Sequence, residues 1–189
     1  AEGFLSSGIR GIHCYGTYRN LAFRPGEPAQ RLPELLGEVN GPLNEWHRRN
    51  AARVRRKYFS DDSARVRFGI ASREFETLSE AGSMLDELRW ARTLAPARIS
   101  IHVGMSANEP LDVVRALHEA GEIGPDLLFV HGNHLPDEVL RMVVDGGASI
   151  SSAIEIEMTY GAWPVVERFT SMGGRSSLGI DATIDFGGD

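Results

Sequence analysis

Three residues have the types and placement to ligate a metal ion. His102 lies in the apolar run Ile99-Ser100-Ile101-His102-Val103, His131 closes Leu127-Leu128-Phe129-Val130-His131, and Asp181 follows Ser177-Leu178-Gly179-Ile180. Two imidazoles and a carboxylate are a metal-ligand set in type. A divalent metal lowers the pKa of a bound water toward ~7, and a neighbouring carboxylate can accept the proton. Each residue alone has a plainer reading: a satisfied core histidine, or an aspartate capping a turn. Their shared position, each at the end of a short apolar segment, is what joins them. His13 and Tyr15 close another such segment, and Glu155 and Glu157 follow Ala148-Ser149-Ile150-Ser151-Ser152-Ala153. The spacing His131–His134 is not a helical zinc pair, because it spans a segment end and a turn.

The elements that must position these residues alternate. Strands are predicted over Ile9–Tyr15, Val66–Ala71, Ile99–Val103, Leu127–His131, Ala148–Ser151 and Ser177–Ile180, where short apolar or β-branched runs lead into Gly or polar turns. Between them, helices are predicted over Asn44–Tyr58, Glu74–Thr93, Leu111–Ala120, Pro136–Val144 and Ala162–Met172. Pro136 followed by Asp137 and Glu138 suits a helix N-terminus, and Gly121 and Gly146-Gly147 suit C-terminal stops. Strands alternating with helices imply an α/β fold with a parallel sheet, and in such folds the carboxyl ends of the strands form the ligand face. The proline-rich stretch Arg19–Gly41 reads as a long irregular loop: an insertion, a lid or an interface.

Composition bounds the rest. With 189 residues, the chain is long enough for one sizeable core, and its 42% hydrophobic content is that of a globular domain. A net charge of −6 argues against a nucleic-acid partner. The basic run Arg48 to Lys57 falls on a predicted helix and reads as a solvated face. Cys14 is the only cysteine, which excludes a disulfide framework and a cysteine-based zinc site. No apolar run approaches the ~20 residues of a membrane span, and no basic leader precedes the first segment, so a cytoplasmic location is expected. Glycine-rich dinucleotide and phosphate loops are also missing.

The stretches ISIHVG, LFVHGNHLPDEVLRMVVDGGASISSAIEIEMTYG and SSLGIDA resemble the amidohydrolase superfamily, in particular its cytosine deaminase, adenosylhomocysteine deaminase and triazine chlorohydrolase branch. SSGIRGIHCYG resembles the third barrel strand of that branch. The resemblance runs from about Gly8 to the C-terminus and rests on the order and spacing of His102, His131 and Asp181. It implies a TIM (β/α)8 barrel that binds one divalent metal ion, zinc or iron, at the carboxyl ends of its strands. His102 would be the metal ligand from the fifth strand. Asp181 would be the ligand from the eighth and also the general base. His131, from the sixth, would polarise the substrate or steady the attacking hydroxide. Glu157 would contact substrate after the seventh. Some branches bridge two metals with a carboxylated lysine on the fourth strand. The only lysine here, Lys57, falls on a predicted helix, so the implied centre is mononuclear.

Two features depart from that pattern. The superfamily's His-x-His pair on the first strand has no counterpart, and the glutamate that serves related deaminases as a proton shuttle is replaced by Met105. Glu109, further along, reads as a helix N-terminal acid. The expectation is a partial barrel of about strands 3 to 8 with their helices. Residues 1–189 would then form an incomplete domain without the first two strands and the flanking β-domain. The expected parent is a metal-dependent hydrolase whose activated water attacks a C–N or similar bond of a small, for example heterocyclic, substrate. The alternative is a non-catalytic degenerate α/β barrel or a small-molecule-binding domain. The isolated chain is expected to be inactive and inclined to self-associate.

Overall fold

A computed structural model describes residues 1–17 and 42–181. The stretch predicted as a long loop, Arg19–Gly41, lies outside the described residues. Six parallel strands form one sheet: β1 Gly11–Gly16, β2 Val66–Ala71, β3 Ile99–Val103, β4 Leu127–His131, β5 Ser149–Ser152 and β6 Arg175–Leu178. They are ordered β1-β2-β3-β4-β5-β6, each hydrogen-bonded to the next in the chain. A doubly wound sheet reverses its strand order at a switch point. Here every crossover steps one strand in the same direction, as in a barrel, and the sheet is a partial (β/α) barrel.

The helices are α1 Glu2–Ser6, α2 Glu45–Tyr58, α3 Ala81–Thr93, α4 Val113–Glu119, α5 Asp137–Asp145, α6 Ile154–Thr159 and α7 Val166–Ser171. Local chemistry sets their ends. The Asn44 side chain accepts the His47 N–H at 3.0 Å to cap α2, and Asp112 does the same for Arg115 N at the start of α4. At the end of α5, Gly147 takes a left-handed φ of 75°, which lets Ala148 N reach back to Val143 O. Buried Met84, Glu87, Leu88 and Ala91 recur on α3 at the spacing of one helical face.

The two faces of the sheet differ. Register places Phe68, Ile70, Ile99, Ile101, Leu127, Phe129 and Ile150 on the side that meets the helices, and none is more than 1% exposed. The opposite side carries Ser100, His102, Val130 and Ser151, which are half-buried. A continuously apolar strand would fit a sheet covered on both faces. The serines and the histidine in alternation mark the inner, barrel-facing side.

Four predicted strands match the structure to within a residue at each end, and two are displaced by about two residues. The segment predicted as one helix from Glu74 to Thr93 is two elements, a 3-10 turn Phe75–Thr77 and then α3. A buried ion pair explains the break. Arg73 Nε lies 2.8 Å from Glu87 Oε2, Thr17 Oγ1 donates to Glu87 Oε1, and Arg73 N donates to Thr17 Oγ1. These contacts hold the chain leaving β2 against α3 and the end of β1, which an uninterrupted helix could not satisfy. Lys57 is on α2, with its ammonium over the Tyr58 ring, and not on a strand. Replacing Phe129, fully buried at the centre of the outer layer, with Ala is expected to destabilise the chain by about 3–5 kcal/mol, read as a lower urea midpoint with an unchanged slope.

Candidate metal centre

His102 and His131 lie on adjacent strands. By register, Val103 pairs with His131 and His102 with Val130, so strict alternation would send the two imidazoles to opposite faces. His131 escapes this through a left-handed φ of 74°, followed by Gly132 at 81°. Its ring centroid lies 5.3 Å from that of His102, with the planes at 61°. Gly104 is needed at the same level: at φ 61°, a Cβ there would stand 2.7 Å from Leu135 Cγ. Asp181, also at positive φ, brings Oδ2 to 3.8 Å from His131 Nε2.

Two further carboxyl groups reach His102. Glu74 Oε2 is 2.8 Å from His102 Nδ1, and Glu76 hydrogen-bonds to Glu74. Ligand atoms of Glu74, Glu76 and His102 lie within 4.8 Å of one another, and this is the one such trio of metal-ligating side chains among the described residues. Burial disfavours a charged His102 ring, but the Glu74 hydrogen bond and charge, with the Asp181 charge, outweigh it and hold its pKa above the usual value. Burial, reinforced by Glu74, pushes Glu76 up to about 10. Glu76 Oε2 is buried without a hydrogen-bond partner. An orphaned carboxyl oxygen beside a second carboxylate and an imidazole is a donor set that fits a divalent cation.

Glu157 sits under His131, fully buried, on α6. His131 Nδ1 at 3.0 Å and Ala153 N at 2.7 Å approach its Oε1. Ser152 Oγ at 2.5 Å and Asn133 Nδ2 at 2.9 Å donate to Oε2. Burial alone would raise its pKa, yet the donors from His131, Ser152, Asn133 and Ala153 pull it down to about 2. Both oxygens therefore face the protein interior.

The remaining sequence candidates are elsewhere. Glu155 is exposed, as is His134, whose backbone N bonds to Gly104 O. The His13 ring stacks on Phe59 at 5.4 Å, and the Tyr15 hydroxyl accepts from Asn50. Glu109 is not a helix acid, since α4 begins at Val113. Its carboxylate accepts the N–H groups of Gly104, Met105 and Ser106 and folds the loop after β3. Sequence reasoning missed Glu74 and Glu76. Their signal was two carboxylates two residues apart, directly after a strand end.

No protein-family model and no curated protein matches the sequence. Solved structures do resemble the fold. A variant of atrazine chlorohydrolase from Arthrobacter aurescens TC1, complexed with zinc and atraton, superposes with a TM-score of 0.66 at 14% identity, over 96% of this chain and 40% of that one. An adenosine deaminase from Xanthomonas campestris with bound zinc gives 0.61 at 12% identity, over 72% and 32%. An amidohydrolase from a Sargasso Sea environmental sample gives 0.61 at 18%, over 87% and 35%. The chain thus spans well under half the length of each.

The Glu157 carboxyl holds its proton more weakly folded than unfolded. It therefore stabilises the fold above about pH 4.5, and that contribution is lost as pH falls toward 2. Roughly 3 kcal/mol is at stake. Urea midpoints of the wild type should fall through this acid window more steeply than those of Glu157→Gln. Taken together, strand order, register and superposition make the chain six consecutive strands of a (β/α) barrel, a fold it shares with these three structures.

Proposed function

We propose that this chain is the metal-holding part of a hydrolase that cleaves C–N bonds of a small substrate with activated water. The observation that carries the reading is the convergence of His102 with Glu74 and Glu76 at the carboxyl ends of the strands, with the His131 ring 5.3 Å from that of His102 and Asp181 beside His131. His102 is proposed as the anchoring metal ligand, with Glu74 and Glu76 supplying oxygen donors and Asp181 a further ligand.

A divalent metal held there would acidify a bound water and polarise an electrophilic carbon. The protein's own groups do the rest. Asp181 Oδ2 faces the centre beside His131 Nε2, placed to take a proton from the attacking water. His131 contacts the substrate or the water. Glu157, proposed from sequence as a substrate contact, acts on the reaction through His131, because its oxygens are occupied.

The partner is a small-molecule substrate. The zinc reported for the structurally similar atrazine chlorohydrolase and adenosine deaminase makes zinc the first metal to try. No described helix is long and apolar enough to cross a membrane. Cytoplasmic location and self-association through the open sheet edges at β1 and β6 remain part of the proposal.

The test is metal binding by the purified chain, followed by calorimetry with Zn2+ and by the visible spectrum of the Co2+ form. The wild type should bind one ion. His102→Ala should abolish binding, and Glu76→Gln and Asp181→Asn should each weaken it by about 10–100-fold. Unchanged affinity in His102→Ala would remove the metal centre and leave the non-catalytic α/β domain as the reading.

A further inference from the structure

We propose that the amino-terminal end of β1 and β2 binds a phosphate group, free or at one end of a phosphorylated small molecule. The site lies at the opposite end of the strands from His102 and does not depend on the metal centre.

Arg10, Arg65 and Arg67 line one cavity of about 340 Å³, together with the turn 62–64 that leads into β2. Parallel pairing gathers them. Gly11 pairs with Val66 and Ile12 with Arg67, and Gly11 N donates to Arg65 O at 3.0 Å, so Arg10 enters β1 beside Arg65. Phe68, the next residue, fills the helical layer, which leaves Arg67 exposed on the inner side of the sheet. Arg65 Nη1 donates to Gly8 O at 3.2 Å and ties the segment before β1 to β2.

Like charges set side by side on neighbouring strands repel, so the fold gains nothing from this grouping. Elsewhere the chain neutralises its arginines. Arg73 meets Glu87, Arg115 meets Glu138, Arg168 meets Asp137, and Arg92 lies between Glu122 and Asp126. Acid is not scarce, with 26 Asp and Glu against 20 Lys and Arg. Yet among the described residues Arg10 and Arg67 have no hydrogen-bond or ion-pair partner. The two acids of the adjoining turn are engaged: Asp62 pairs with Arg55 at 2.8 Å, and Asp61 accepts from Ser63 N and Oγ. The cavity therefore keeps a net positive charge.

The residue type selects the ligand. A guanidinium fork matches phosphate oxygens with two parallel N–H donors. A carboxylate brings a single charge to these cations, whereas a phosphate monoester carries about −1.5 to −2 at pH 7. The cavity volume is within the range of small-molecule sites, so it has room for more than the bare ion. Bound there, the anion bridges β1, β2 and the turn between α2 and β2, and it stabilises the folded chain.

The test is calorimetric titration of the full chain with inorganic phosphate and with phenyl phosphate, at constant ionic strength in buffer freed of metal ions. One saturable site and a higher melting temperature are expected. Arg10→Gln and Arg67→Gln should each weaken binding about tenfold or more. Arg49→Gln removes the same charge from an exposed position on α2, outside the cavity, and should leave binding unchanged. Tighter binding of phenyl phosphate identifies a phosphorylated molecule as the occupant, and equal or weaker binding identifies the free ion. Uptake without saturation, or an equal loss in Arg49→Gln and Arg67→Gln, reduces the effect to general charge attraction and overturns the proposal. Both substituted cavity residues are exposed, so circular dichroism should show folded variants, and the wild-type titration decides even where one fails to fold.

Discussion

Parallel pairing in strict chain order is the constraint on which the rest depends. Once β1 to β6 lie side by side without a switch point, all six strands deliver their carboxyl ends to one rim. Residues distant in sequence then become neighbours because each stands at the same height. Thr17, Arg73, His102, His131 and Ser152 all occupy that level, and the contacts among Thr17, Arg73 and Glu87 and between Ser152 and Glu157 are its fastenings. The outer apolar layer keeps this rim rigid. Near-complete burial of Ile101, Phe129 and Ile150 leaves the strands little freedom to slide, since a one-residue slip would send a serine or histidine into the helical layer.

Two carboxylates at this rim, one buried and one half-buried, have opposite electrostatic fates, and the difference is one of donors. Glu157 receives N–H and O–H groups on both oxygens and stays ionised deep in the protein. Glu76 has an orphaned oxygen and another carboxyl group as its neighbour, so it retains its proton. The first arrangement is complete within the chain and builds structure. The second lacks positive charge, which is why a cation fits it. The same residue type therefore serves as a scaffold on one side of the imidazole pair and as an incomplete ligand shell on the other.

Much of this was legible in the sequence. Short apolar segments ending in His102 and His131 announce themselves, because a polar side chain closing a buried strand breaks the pattern. The strands Ile99–Val103 and Leu127–His131 could be read to the residue for the same reason, and Val66–Ala71 from its short apolar run. Glu74 and Glu76 could not be read from pattern. Glu74-Phe75-Glu76-Thr77 has adequate helix propensity, and only the long-range pairing of Arg73 with Glu87 and Thr17 breaks the helix there. Propensity is a weak prior against a buried ion pair. The depth of Glu157 was hidden as well, because the short helix Ile154–Thr159 turns it inward, and a strand-then-loop reading leaves it in solvent.

The Glu109 clamp has a consequence for what can approach the rim. Successive backbone N–H groups pointing into a concavity make a nest that attracts phosphates, sulfates and carboxylates. The loop after β3 has such a run at Gly104, Met105 and Ser106, but it is filled by the protein's own carboxylate. An anionic visitor would have to displace a tethered one that is already present at high local concentration. This nest is thus closed to an outside anion by an acid of the chain itself.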